Sequence, residues 1–233
     1  MRPLSKKIHL VLDPPSEADP RPDRQRVMEA LPRELGRVAM ALPVLRRLYG
    51  ILRQGNWKVT ATVSRNREGW DLVELEPGDT TVAHYGVAAD LGSTTLCLRL
   101  VDLNTGKLLG QESVYNRQIA FGEDILNRVF YCKDSEHKRE ELRRATLETF
   151  REGLAALEEA TALPMDKCAA MVIAGNTTMM HLLLGLEPFG VFAAPYAPVD
   201  LAFGYYTAAE MGLPVCGYTP AGPTISGATS SAA

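Results

Sequence analysis

Lys7 to Leu12 alternates between polar and apolar side chains until Asp13-Pro14-Pro15 closes the run, which predicts a strand stopped by proline. Ser16 to Asp23 reads as a loop. A helix is then predicted from Asp23, taken as its N-cap, through Val27, Met28 and Leu31, with Pro32 and Gly36 interrupting it. From Pro43 to Gln54, the residues Val44, Leu48, Ile51 and Leu52 fall on one helical face, and Gly55-Asn56 ends the stretch. Trp57 to Ser64 and Trp70 to Leu75 alternate around Asn66-Arg67-Glu68-Gly69, the pattern of a hairpin in which Trp57 and Trp70 would meet across the strands. Residues 1–83 therefore read as a small α+β unit with its exit turn at Glu76-Pro77-Gly78-Asp79.

The texture changes at Tyr85. Gly86 to Leu91 is a run of small apolar residues, as in a strand buried on both faces. Leu96 to Asp102 and Lys107 to Val114 follow as strands around the turn Asn104-Thr105-Gly106, making a three-stranded meander. Two helices come next, Glu123 to Tyr131 and Ser135 to about Thr161. In the second, Leu142, Leu147, Phe150, Leu154 and Leu157 form the apolar stripe, and the mixed charges from Lys138 to Arg144 form a solvated face. Beyond Pro164, Cys168 to Ala174 reads as a strand, Gly175-Asn176-Thr177 as a turn, and Thr178 to Leu184 as a core-facing helix ended by Gly185. The remaining residues, 214–233, are proline-rich and read as a disordered or truncated tail. No internal repeat is present.

Composition removes several classes of function. With 46% hydrophobic and 23% charged residues the chain has an ordinary globular balance. A formal charge of −3 offers no general attraction to nucleic acid or to an anionic membrane. Cys97, Cys132, Cys168 and Cys216 form no CxxC pair, so local spacing builds neither a zinc ribbon nor an iron–sulfur loop, and reduced core or surface thiols are expected. The basic N-terminus carries an apolar run only from Ile8 to Leu12, too short for a signal sequence, and no stretch is long enough for a membrane span. A cytoplasmic protein is the expectation.

The sharpest chemical feature is Asp90-Leu91-Gly92-Ser93-Thr94-Thr95, in which an apolar strand delivers a carboxylate to a glycine turn and three consecutive hydroxyls. Glycine lets the backbone approach phosphate oxygens, and turn amides can form an anion-binding concavity. The hydroxyls could donate to phosphate, and Asp90 could hold Mg²⁺. An ordinary hairpin turn, with Ser and Thr bonded to their own backbone, fits the same residues. Asn176 and Thr177 could cap the following helix or face an anion at its N-terminus. Asp124 is either a functional carboxylate or a helix-start acid, and His181, with no second ligand at metal spacing, reads as a structural histidine.

Strand, Asp-x-Gly-Ser-Thr-Thr, strand, turn, strand, helices, then an apolar strand and Gly-Asn-Thr-Thr is an order that resembles the first subdomain of the actin/Hsp70/acetate-and-sugar-kinase superfamily. Within it, the chain looks like a reductive activator of corrinoid proteins. Three stretches carry that resemblance: Asn116-Arg117-Gln118-Ile119-Ala120-Phe121-Gly122-Glu123-Asp124-Ile125-Leu126-Asn127-Arg128, Gly175-Asn176-Thr177-Thr178-Met179-Met180-His181-Leu182-Leu183-Leu184-Gly185-Leu186-Glu187-Pro188, and Ala194-Pro195-Tyr196-Ala197-Pro198. The resemblance implies an α/β fold: a ribonuclease-H-like first lobe over residues 84–213, preceded by a middle domain over 1–83. It further implies ATP and Mg²⁺ as cofactors, held by Asp90, Gly92, Ser93, Thr94, Thr95, Gly175, Asn176 and Thr177, with Asp90 toward the metal.

Full-length relatives of this kind reduce Co(II) to Co(I) in a corrinoid protein partner, using ATP and an iron–sulfur cluster on a ferredoxin-type domain. That domain and the second ATPase lobe are not in this sequence, so it reads as a fragment that binds ATP weakly by itself. Apolar surface left bare by the missing lobe would favour self-association, a homodimer among the forms. Neither nucleic acid nor a membrane is an expected partner. A small-molecule kinase of the same superfamily and a non-enzymatic docking module are the competing readings.

Overall fold

The computed structural model describes residues 3–66, 68–204, 206–213 and 220–224. Its first unit is a four-stranded sheet in the order β1-β3-β4-β2, formed by β1 (Ser5–Val11), β2 (Val38–Met40), β3 (Lys58–Arg65) and β4 (Trp70–Pro77). Two helices, α1 (Asp23–Ala30) and α2 (Leu42–Gln54), pack against it. Val44, Leu48, Ile51 and Leu52 are buried on α2 and meet Val59, Ala61 and Val63 of β3, so the predicted apolar face is the one that packs. The opposite face of β3 is buried as well. There Ser64 Oγ donates to the carbonyl of Ala169 at 2.9 Å, and Ser5 Oγ lies 3.0 Å from His84 Nε2, tying this unit to the next one.

Two expectations for this unit fail. Asp23 is not the N-cap of α1: Pro22 holds that position, and the Asp23 carboxylate instead accepts from Arg53 at 2.6 Å. Trp57 and Trp70 do not meet, because the β3–β4 turn lies beside Trp70, which pairs with Arg65, while Trp57 precedes β3 at the far end. Each indole faces a cation instead, Arg53 over Trp57 at 5.1 Å and Arg65 over Trp70 at 4.7 Å.

The second unit is a six-stranded sheet in the order β7-β6-β5-β8-β10-β9, with β5 (Tyr85–Leu91), β6 (Thr95–Asp102), β7 (Leu108–Tyr115), β8 (Cys168–Gly175), β9 (Tyr206–Thr207) and β10 (Pro220–Thr224). β5, β6 and β7 form the expected antiparallel meander, whereas β8 runs parallel to β5 and β10 parallel to β8. Pro220–Thr224 falls within the proline-rich stretch read from sequence as a disordered or truncated tail, yet it is a strand paired on both sides. Residues 214–219 and 225–233 of that stretch lie outside the described residues.

The helices α3 (Ile125–Cys132), α4 (Glu136–Thr161) and α5 (Thr177–Leu184), with the short α6 (Ala208–Met211), cover one face of this sheet. Val87, Ala89, Leu91, Leu96, Leu98 and Leu100 point into that core beside Phe150, Leu154 and Leu157 of α4. Since strand side chains alternate, Ala88, Asp90, Cys97 and Arg99 point to the other face. Ala88 and Asp90 are exposed, so the expected burial of β5 on both faces does not occur among the described residues. No helix among them is long and apolar enough to cross a membrane.

Candidate functional site

β5 and β8 run in the same direction, with Leu91 paired to Gly175 as the last residue of each strand. The Gly92–Thr94 turn after β5 and the Asn176 turn after β8 therefore leave the sheet side by side. The carboxyl ends of neighbouring parallel strands are the usual place for a ligand crevice in α/β sheets. Asp90 sits on the open face, opposite Cys97 and flanking Ala174, two positions before the turn.

The Gly92–Thr94 turn is held from behind. Gly92 N donates to Thr95 O at 2.9 Å, and a β-carbon on Gly92 would lie 2.7 Å from that same oxygen, which is why only glycine closes the turn. Asn116, 1% exposed, donates its side-chain amide to Gly92 O at 3.0 Å and its backbone N–H to Thr94 O at 2.8 Å. Arg128 donates from Nη1 to Ser93 O at 2.6 Å. All three carbonyls of the turn thus face inward.

In a planar trans peptide the N–H points opposite to the C=O. Turning the Gly92 and Ser93 carbonyls inward therefore turns the amides of Ser93 and Thr94 outward. Neither amide, and none of the Ser93, Thr94 and Thr95 hydroxyls, makes a hydrogen bond with another described residue. Thr94 and Thr95 are exposed and Ser93 is half-buried. Free outward donors on a turn held from behind are chemically suited to an anion, and this donor set fits phosphate oxygens, with Asp90 as a carboxylate beside it for a cation.

On the second strand end, Asn176 caps α5 by accepting from Met179 N at 2.9 Å, and Gly175 is buried where a β-carbon would press on Leu91 O at 3.0 Å. Asn176 is exposed and Thr177 half-buried at the start of the helix, so both flank the same rim as the Gly92 turn. The remaining sequence candidates settle differently. Asp124 caps α3, accepting from Asn127 N at 2.7 Å and Asn127 Nδ2 at 3.1 Å. His181 is fully buried, with Nδ1 on Thr177 O at 2.7 Å and its ring edge-on to Phe203 at 5.4 Å.

Sequence reasoning passed over Asn116 and Arg128 as parts of this site, although both lie inside the Asn116 to Arg128 stretch. Gln118 joins them, donating to Leu142 O at 3.1 Å and Thr146 Oγ1 at 2.6 Å while its carbonyl faces Arg128 Nη1 at 3.4 Å. A cluster of polar residues just after a meander strand, of which Asn116, Gln118 and Arg128 are buried, was the available signal. Two hollows lie elsewhere. An open groove of about 830 Å³ runs between residues 115–121 and α4, and an apolar one of about 370 Å³ on the open sheet face is lined by Gly86, Ala88, Val101, Leu103, Ala170 and Val172. Neither is lined by Asp90 or the Ser93–Thr95 hydroxyls.

Among the described residues the cysteines do not gather. Cys132 and Cys168 are buried and Cys97 is half-buried on the open face; burial pushes the Cys132 thiol up to about 11. Among the described residues no three His, Cys, Asp or Glu side chains converge as a metal site. The described residues therefore do not fit an iron–sulfur cluster.

Two family models match the chain: "RACo linker region" over residues 1–82 and "RACo middle region" over residues 85–227. The chain belongs to the RACo family. In that vocabulary the α+β unit named a middle domain above is the linker region, and the six-stranded unit belongs to the middle region. A solved "reductive activator for corrinoid, iron-sulfur protein" superposes on 96% of this chain with a TM-score of 0.83 at 33% identity. The corrinoid activation enzyme RamQ of Eubacterium limosum is 34% identical over 112 residues, 48% of this chain. This RACo chain spans 36% of the solved activator and its match covers 19% of RamQ. An apo ParM protein and the archaeal actin homolog Ta0583 superpose with TM-scores of only 0.29 and 0.24, too low to bear on the fold.

Proposed function

We propose that this chain is the nucleotide-responsive part of an ATP-dependent reductive activator of a corrinoid protein. The observation that carries the reading is the superposition of nearly the whole chain on a reductive activator at 33% identity. The antiparallel β7-β6-β5 meander continued by parallel β8 and β10 is read as a ribonuclease-H-like first lobe of the actin/Hsp70/sugar-kinase fold, acting in the cytoplasm.

In this reading the Ser93 and Thr94 amides and the Ser93, Thr94 and Thr95 hydroxyls bind the phosphates of Mg·ATP. Gly92 allows their close approach, and Asp90 faces the metal. Gly175, Asn176 and Thr177 form the other wall of the crevice. Bound Mg·ATP supplies the free energy for an uphill one-electron transfer. What this chain contributes is a rigid cradle whose occupancy alters its affinity for the partner's two states. A reduced iron–sulfur cluster would supply the electron that converts Co(II) to Co(I); among this chain's described residues no three His, Cys, Asp or Glu side chains converge to hold one.

The likeness to RamQ favours this activity over small-molecule phosphorylation. The test is an anaerobic assay with a corrinoid protein, a reductant and Mg·ATP, using a polypeptide that joins this chain to a cluster-bearing domain. The Co(I) absorption should appear only with ATP and be lost in D90N. Co(I) formation at the same rate without nucleotide would refute the proposal.

A further inference from the structure

Two arginines are buried among the described residues, Arg26 at 4% exposure and Arg128 at 0%. Arg26 has a carboxylate, Asp19, at 2.7 Å. Arg128 has none: no ion pair among the described residues includes it. Its Nε donates to Gly122 O at 2.9 Å, its Nη1 to Ser93 O at 2.6 Å with the Met179 sulfur at 3.9 Å, and its Nη2 is buried with no partner. A fully desolvated guanidinium held by neutral oxygens, with one arm empty, is expensive to keep. Burial pushes its pKa down and only the more distant Asp124 opposes this.

The position of this charge explains its retention. Arg128 is wedged between the Gly92–Thr94 turn and the first turn of α5, the two elements whose ends meet at Leu91 and Gly175. The peptide that accepts its Nη1 bond at Ser93 O is the one whose N–H belongs to Thr94, and that N–H faces outward. A hydrogen bond from a cation to a carbonyl polarises the amide at the other end of the same peptide and makes it a stronger donor.

We propose that Arg128 is a positioning residue that fixes and charges the Thr94 amide, and that the anion bound on the outer side of the turn is its missing counter-charge. The inference rests on reading Gly92–Thr95 as a phosphate cradle. It adds that the cradle's positive charge comes from beneath, through a peptide, because no lysine or arginine belongs to the turn itself.

Inorganic tripolyphosphate with Mg²⁺ is the probe, and thermal unfolding of this chain is the readout, compared with sodium chloride at equal ionic strength. About tenfold above its Kd, the probe should raise the wild-type Tm by roughly 3 °C. R128Q should lose that rise, whereas R128K, which keeps the charge, should retain most of it. The wild-type Thr94 amide ¹⁵N–¹H resonance should also move on addition of the probe, and this needs no variant. Equal Tm rises in wild type and R128Q would overturn the role of Arg128 and leave the cradle standing. Should R128Q not fold, an R128K variant that folds without any rise would overturn it equally. No rise in wild type together with a stationary Thr94 resonance would remove both the cradle and the inference.

Discussion

Leu91 and Gly175 are paired as the terminal residues of two parallel strands, and this pairing brings the two candidate phosphate-binding turns to one rim. In sequence the turns are far apart, with the meander and two helices between them. Their adjacency follows from the parallel register of β5 and β8, which the long helix α4 makes possible by carrying the chain back across the sheet.

Substituting Gly92 by alanine should damage the cradle without touching any donor. The new β-carbon would lie 2.7 Å from Thr95 O, a backbone atom that cannot swing aside. Overpacking of this kind costs about 1–3 kcal/mol. A displaced turn should also weaken Mg·ATP binding by about tenfold or more, each charge-assisted bond being worth about 1.5–3 kcal/mol. Urea unfolding and calorimetry of G92A check the two halves separately.

Asn116→Leu should destabilise the turn from beneath. It removes the donor to Gly92 O and leaves that carbonyl unpaired in a site where Asn116 is 1% exposed. An unsatisfied buried acceptor costs about 1–3 kcal/mol, so the urea midpoint should fall with an unchanged slope.

Asp90→Ala should behave oppositely. Asp90 is exposed and its side chain has no hydrogen bond or ion pair within the described residues, so stability should change by no more than about 0.5 kcal/mol. Magnesium-dependent binding of ATP should nevertheless fall sharply, and magnesium titration at fixed ATP separates this from a general loss of phosphate affinity.

Acid should loosen the join between the two units. His84 is 4% exposed with Nε2 3.0 Å from Ser5 Oγ; burial, then the Lys7 charge, push its pKa below 6.5. A histidine held neutral in the folded state contributes fully above its unfolded pKa near 6.5, and that contribution is lost as pH falls toward the lower folded value. Thermal stability should therefore decline below about pH 6.5, and H84Q should flatten that decline. The neighbouring Glu76 carboxylate is raised by burial, but Lys7 and Thr80 outweigh this and hold it below its ordinary range. It adds acid sensitivity only at lower pH than His84.

Much of the architecture was legible in periodicity. The stripe Leu142, Leu147, Phe150, Leu154 and Leu157 is the buried face of α4, and Gly185 ends α5 in a left-handed cap, as their spacing implied. Elements without a pattern of their own escaped. Val38–Met40 and Tyr206–Thr207 are too short to show alternation, and the prolines in Pro220–Thr224 disguised a strand that only its neighbours β8 and β9 define. The tryptophans were paired by residue type, whereas the hairpin register decides which side chains are opposite.

The sequence by itself determined most of the chain of elements, the family resemblance and the place of the glycine-hydroxyl turn, because helix spacing and turn chemistry are local properties. Only the tertiary structure decided that Asn116 and Arg128 stand behind that turn and aim its amides outward. A peptide group's direction depends on which distant donor claims its carbonyl, and no local pattern in a sequence carries that information.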